Sequence, residues 1–161
     1  MSSDIRFRSS AMPEDIRTVR EIVVSTGFFN DEEVDIAVEL ITDRVEKGEK
    51  SDYKFLFLDL DGKTVGYSCF GHIAGTQESF DFYWLAVYQD LRGKGLGRQL
   101  TARTEEAIRE AGGHRVYIET SSRKQYVPTR EFYLKIGYRV EAIIEDFYAP
   151  GDGKVILVKV V

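Results

Sequence analysis

One cysteine, Cys69, and two histidines, His72 and His114, are all that the 161 residues hold of either type. A disulfide framework cannot be built from one thiol. A Cys/His metal site cannot be assembled from three such residues without ligand spacing between them. Long apolar runs are also missing, so no segment reaches membrane-spanning length. The opening stretch, MSSDIRFRSS, is polar and has none of the apolar centre of a secretory signal. The expectation is a soluble, cytoplasmic protein without metal or membrane contact. Basic residues are outnumbered: 22 Lys and Arg against 27 Asp and Glu leave a net charge of −5. That balance argues against a general nucleic-acid binder, which would present a basic face. It is compatible with a cationic substrate, although global charge says little about one pocket. Prolines number three, and no linker, repeat or low-complexity tract divides the chain. One domain over residues 1–161 is expected.

Ten Phe, nine Tyr and one Trp are enough aromatic surface for a sizeable core. DIRFRS alternates like a first strand. Pro13 suits a first helical position, and Ile16, Val19 and Ile22 or Val23 make an apolar stripe over 13–26 that Gly27 stops. Asn30 with Glu33 three residues on is close to a capping box, and Val34, Ala37, Leu40, Ile41 and Val45 continue a second helix to Gly48. The period then changes. YKFLFLDL and KTVGYSCFGHIA read as strands joined by an Asp61-Gly62 hairpin turn, and FDFYWLAVYQ, residues 80–89, reads as a third. A helix follows from Leu96 to Gly112-Gly113, then the strand RVYIETS, a short helix over 128–136, and two closing strands, GYRVEAIIEDFY and KVILVKV. The order is βααβββαβαββ. Its middle strand–helix–strand unit should be a right-handed parallel crossover.

The stretch DLRGKGLGRQL, residues 90–100, places three glycines in five positions among three basic residues, between a strong strand and an amphipathic helix. At such a place backbone N–H groups of a helix N-terminus meet an anion, and residues without a Cβ let it approach. Arg92, Lys94 and Arg98 add positive charge. The Walker phosphate loop does not fit, and neither does the dinucleotide fingerprint. The run Arg92-Gly93-Lys94-Gly95-Leu96-Gly97 matches R/Q-x-x-G-x-G/A. With WLAVYQDL before it and REFYLKIGY after it, the chain resembles the GNAT superfamily of acetyl-CoA-dependent N-acetyltransferases over nearly its whole length.

The resemblance implies an α/β (α+β) GNAT-like fold. Its single central mixed, mostly antiparallel sheet would carry a parallel βαβ crossover and helices on both faces. It implies acetyl-CoA as co-substrate, with residues 92–98 on its pyrophosphate through Arg92, Gly93, Lys94, Gly95, Leu96, Gly97 and Arg98. The backbone of Leu85, Ala86 and Val87 would hold the pantetheine arm, and the Val87 N–H would face the developing oxyanion. Tyr133 stands at the family's general-acid position, where a phenol protonated at neutral pH donates to the departing thiolate. Glu119, in VYIETS, stands where some protein N-terminal acetyltransferases carry a catalytic glutamate. Asp81 and Glu78 are rivals for that base, and a transferase with no dedicated base is a further alternative. An asparagine common seven residues before the tyrosine is replaced by Tyr126.

The acceptor implied is a primary amine on a small molecule, an amino acid or a peptide N-terminus. EDFYAPGDGK, residues 145–154, gives a weak hint of the ribosomal-protein N-terminal acetyltransferase branch, against an ordinary hairpin. Phe28, Phe29 and Tyr83 are further lining candidates, or core. His72 and His114 read as structural or surface residues. Members of this fold often pair through their late strands or through the fourth-to-fifth strand region, so a homodimer is expected. KVILVKV is then either an edge strand or an inner one. The rival function is a module that senses acyl-CoA or a metabolite without turnover, and a third reading is a transferase of longer acyl groups.

Overall fold

A computed structural model describes residues 3–161. Its elements run β1 (Ile5–Arg8), α1 (Glu14–Ser25), α2 (Asp31–Lys47), β2 (Lys54–Leu60), β3 (Lys63–His72), β4 (Ser79–Val87), α3 (Leu96–Glu110), β5 (Arg115–Ser121), α4 (Val127–Lys135), β6 (Arg139–Ala149) and β7 (Asp152–Val160). This is the order expected from periodicity. The strands form a seven-stranded mixed sheet in the order β1-β2-β3-β4-β5-β7-β6. β4 and β5 are parallel, and β7 runs antiparallel to both β5 and β6. KVILVKV is therefore the inner strand of the two alternatives. Its Val155, Leu157 and Val158 are buried, as a strand flanked on both sides requires. β6 is the edge, and its Arg139, Glu141, Glu145 and Asp146 are charges that suit one.

The chain packs as two compact units. One runs up to Gly71 and adds Trp84–Glu106; the other takes His72–Tyr83 and Ala107–Val161. In the first unit, α1 contributes Val19, Ile22 and Val23, and α2 contributes Val34, Ala37 and Ile41. These cover Phe55, Phe57, Tyr67, Cys69 and Ala86 of the strands. α2 starts on a complete capping box: Asn30 Oδ1 accepts the Glu33 N–H at 2.8 Å, and Glu33 Oε1 accepts the Asn30 N–H at 3.2 Å. Arg8 ties β1 to α1 with two hydrogen bonds to Asp15, 2.8 and 2.9 Å long, and its guanidinium lies 4.4 Å over the Phe57 ring.

In the second unit, Phe80, Phe82, Val116, Ile118, Val155 and Leu157 are among the buried strand residues. The edge-to-face contact of Phe82 with Tyr133 puts α4 on that side of β4. Gly113 is needed where α3 turns into β5. A Cβ there would stand against Ile108 Cγ2 and 2.6 Å from Phe80 Cδ1. Among the described residues no helix is long and apolar enough to cross a membrane.

Candidate functional site

The first unit carries the glycine cluster. Ala86 and Val87, at the end of β4, are buried, and Leu85 is half-buried. Arg92 leaves the following turn in an extended conformation, φ −69° and ψ 155°. Gly93 and Gly95 then take φ of 80° and 77°, the left-handed region that side chains resist. A Cβ built on either glycine would meet nothing within 4 Å, so the space in front of this backbone is open. The Gly95 carbonyl accepts the Gln99 N–H at 3.1 Å, so the ladder of α3 begins there. Amides before Gln99 have no intrahelical acceptor. The first turn of α3 holds no acidic residue. Lys94 and Arg98 are exposed and have no ion-pair partner among the described residues, while Arg92 reaches only Gln89 Oε1, at 3.4 Å. Open amides, a helix N-terminus and cations without an ion-pair partner among the described residues make an arrangement that is able to cradle a phosphate-bearing group. Leu96, by contrast, is buried.

The second unit carries the titratable groups. Asp81 of β4 lies opposite Tyr117 of the parallel β5, and Glu119 is two residues further along the same face. Ile156 of β7 lies opposite Glu119, and two residues back on that face is Lys154. Lys154 Nζ is 3.0 Å from Glu119 Oε2 and 4.2 Å from the centre of the Phe147 ring. Asp81 is half-buried. Burial, and then the charge of Glu119, hold its carboxyl above the usual range, against a hydrogen bond from Tyr83 and the charge of Lys154. Glu78, the other rival base, is exposed, and its carbonyl accepts the N–H groups of His114 and Arg115. Sequence reasoning missed Lys154. No local motif points to it, because only the β5–β7 register brings it to Glu119.

Tyr133 is buried among the rings of Phe82, Phe132 and Tyr138, with centroids 6.4, 5.1 and 5.5 Å away. Burial pushes its phenol well above its ordinary value, so it stays protonated. Phe82 and Asp81 are consecutive on β4 and point to opposite faces. Tyr133 thus lies behind the strand whose front bears Asp81, with Glu119 on the same face of the neighbouring β5. β4 pairs with β5 over Ser79–Asp81 and Arg115–Tyr117, and the pairing stops before Phe82 and Ile118.

Tyr126 is buried, with the Arg123 guanidinium 5.4 Å over its ring. EDFYAPGDGK forms the β6–β7 hairpin. There Asp146 takes φ 55°, its carboxylate accepts the Gly151 N–H at 2.7 Å, and Phe147 and Tyr148 are about half exposed. In the first unit Phe29 packs on Trp84 with centroids 4.7 Å apart. His72 bonds locally to the Thr76 carbonyl at 2.8 Å, and His114 is exposed. No group of three or more His, Cys, Asp or Glu among the described residues could hold a metal ion.

A family model described as an acetyltransferase (GNAT) domain matches residues 51–140. A solved structure from Desulfovibrio desulfuricans, described as an acetyltransferase of the GNAT family, superposes with a TM-score of 0.92 at 38% identity. It covers 98% of this chain and 99% of that one. An N-acetyltransferase of Methanocaldococcus jannaschii, MJ1530, is 28% identical over 107 residues, which is 65% of this chain and 65% of that protein. The PaiA N-acetyltransferase of Thermoplasma acidophilum, solved with coenzyme A, shares the fold at a TM-score of 0.72 and 21% identity, covering 98% of this chain and 99% of that one.

Proposed function

Because the chain belongs to the GNAT acetyltransferase family, we propose that it moves an acetyl group from acetyl-CoA to a primary amine by direct attack. The observation that carries this is the cradle at residues 92–98, with its open glycine amides and unpaired Lys94 and Arg98. The co-substrate supplies an acetyl carbonyl bonded to a good leaving group. The chain's own residues supply position and protons. Arg92, Lys94, Arg98 and the amides of Gly93, Gly95, Leu96 and Gly97 hold phosphate charge. The backbone of Leu85, Ala86 and Val87 lines up the arm, with the Val87 N–H as the oxyanion donor.

Two faces of the β4–β5 part of the sheet suit the two proton movements. Tyr133, behind β4, keeps its proton at neutral pH and gives it to the departing thiolate. Asp81 and Glu119, in front, are the carboxylates for the amine. The acceptor class is a cationic amine on a small molecule, an amino acid or a peptide N-terminus. If copies of the chain join through the late strands, β6 is the strand with a free edge.

The test is release of CoA thiol from acetyl-CoA against n-butylamine, 1,4-diaminobutane, glycinamide, an aminoglycoside and short peptides. Amine-dependent release that collapses in Tyr133→Phe supports the whole reading. Release unchanged by that substitution removes Tyr133 from its role. Binding of acetyl-CoA with no release for any amine favours a sensor.

A further inference from the structure

Lys154 is a charged side chain on the carboxylate face that the proposed chemistry does not use. The sheet fixes its place. Gly153 before it has no room for a side chain, since a Cβ would stand 2.9 Å from the Ile144 carbonyl. The Gly153 N–H donates to Ser122 Oγ at 2.8 Å. Lys154 is opposite Ser121 on one side and Ile144 on the other. From there its ammonium lies between the Glu119 carboxylate, at 3.0 Å, and the Phe147 ring, at 4.2 Å. The Lys154 side chain is only 14% exposed, so water screens the pair weakly on the lysine side.

We propose that Lys154 is a positioning residue: by holding Glu119 in an ion pair, it leaves Asp81 as the carboxylate that takes the proton from the attacking amine. The inference rests on the transferase reading above. Asp81 has no ion-pair partner among the described residues, whereas the negative charge of Glu119 is already matched. The groups facing Asp81 are Tyr83 on its own strand, Tyr117 and Glu119 on β5, and Lys154 on β7; Tyr148 of β6 faces Glu119. Glu119 and Lys154 act on Asp81 with opposite signs. Burial first, and then the Glu119 carboxylate, raise its proton affinity, and the Lys154 ammonium lowers it. The amine attacks in its neutral form, its ammonium proton having already gone to solvent; as the N–C bond forms and the C–S bond breaks, the one remaining surplus proton passes from nitrogen to Asp81. The sulfur takes one from Tyr133, and exchange with solvent resets both groups.

The experiment is a carbon-13 NMR titration of the Asp and Glu carboxyls in the full chain, free of ligand, for wild type, Lys154→Met, Lys154→Arg and Glu119→Gln. The Asp81 midpoint should rise in K154M, fall in E119Q and return toward wild type in K154R. The acid limb of kcat/KM for the amine panel should move with it. An Asp81 midpoint unmoved in K154M overturns the proposal. So do shifts of the same sign in K154M and E119Q, which would report a general loss of structure. If Asp81 titrates as expected while no variant releases thiol with any amine, the transferase reading fails and the control of Asp81 by Lys154 stands.

Discussion

Replacing Gly95 by alanine separates the two demands on the cradle. At φ 77° an alanine adopts a conformation costing about 1–2 kcal/mol. No clash adds to that cost, because the new methyl would meet nothing within 4 Å. At about 2–4 °C per kcal/mol for a chain of this size, the free protein should melt roughly 2–8 °C lower. Binding should lose more. The methyl occupies the open space in which a phosphate would approach the amides. A hydrogen bond to a charged group is worth about 1.5–3 kcal/mol. At 1.4 kcal/mol per tenfold, CoA should bind roughly 10- to 100-fold more weakly. Gly95→Asn is the control, since asparagine tolerates left-handed backbone better. It should recover most of the melting temperature and none of the affinity. Thermal unfolding without ligand and calorimetric titration with CoA read the two quantities. A G95A protein that melts early yet binds CoA as tightly as wild type would refute the assignment of this loop to the phosphate.

Tyr133→Phe keeps the ring contacts with Phe82, Phe132 and Tyr138, so its melting temperature should barely move while kcat falls by about 10²- to 10⁴-fold. In wild type the protonated phenol is the active form, and burial raises its pKa above the ordinary value of 10; kcat should show no alkaline loss from this group below pH 10. Gly113→Ala drives a methyl into Ile108 and Phe80 and should cost about 1–3 kcal/mol by overpacking, read as a lower melting temperature. Tyr67→Phe should do the reverse: the Tyr67 hydroxyl is buried without a hydrogen-bond partner among the described residues, so removing it should stabilise by about 1 kcal/mol in denaturant titrations.

Local chemistry made much of the fold legible. The Asn30 capping box, the Asp61-Gly62 turn and Gly112-Gly113 after α3 each act within a few residues, and each marked an element boundary. The glycine-rich turn into α3 was legible for the same reason, since Arg92 to Arg98 form one continuous run. What escaped depends on register between distant strands. Whether KVILVKV is inner or edge turns on β6 crossing outside β7, and nothing in its own seven residues decides that. The choice among Asp81, Glu78 and Glu119 was open because their neighbours are set by pairing. Glu119 meets Lys154 across β5 and β7, and Asp81 shares its face through three parallel pairs.

Cys69, the chain's one thiol, lies fully enclosed in the first unit, and burial pushes its pKa well up. Thiolate, not thiol, attacks a disulfide reagent. A chromogenic disulfide added to the folded protein should therefore stay colourless until CoA is released, so turnover can be read continuously without subtracting a protein background. The same reagent, with no acetyl-CoA present, becomes a clock for native-state opening: each equivalent of colour counts one molecule whose β3 has come away from α1 and α2.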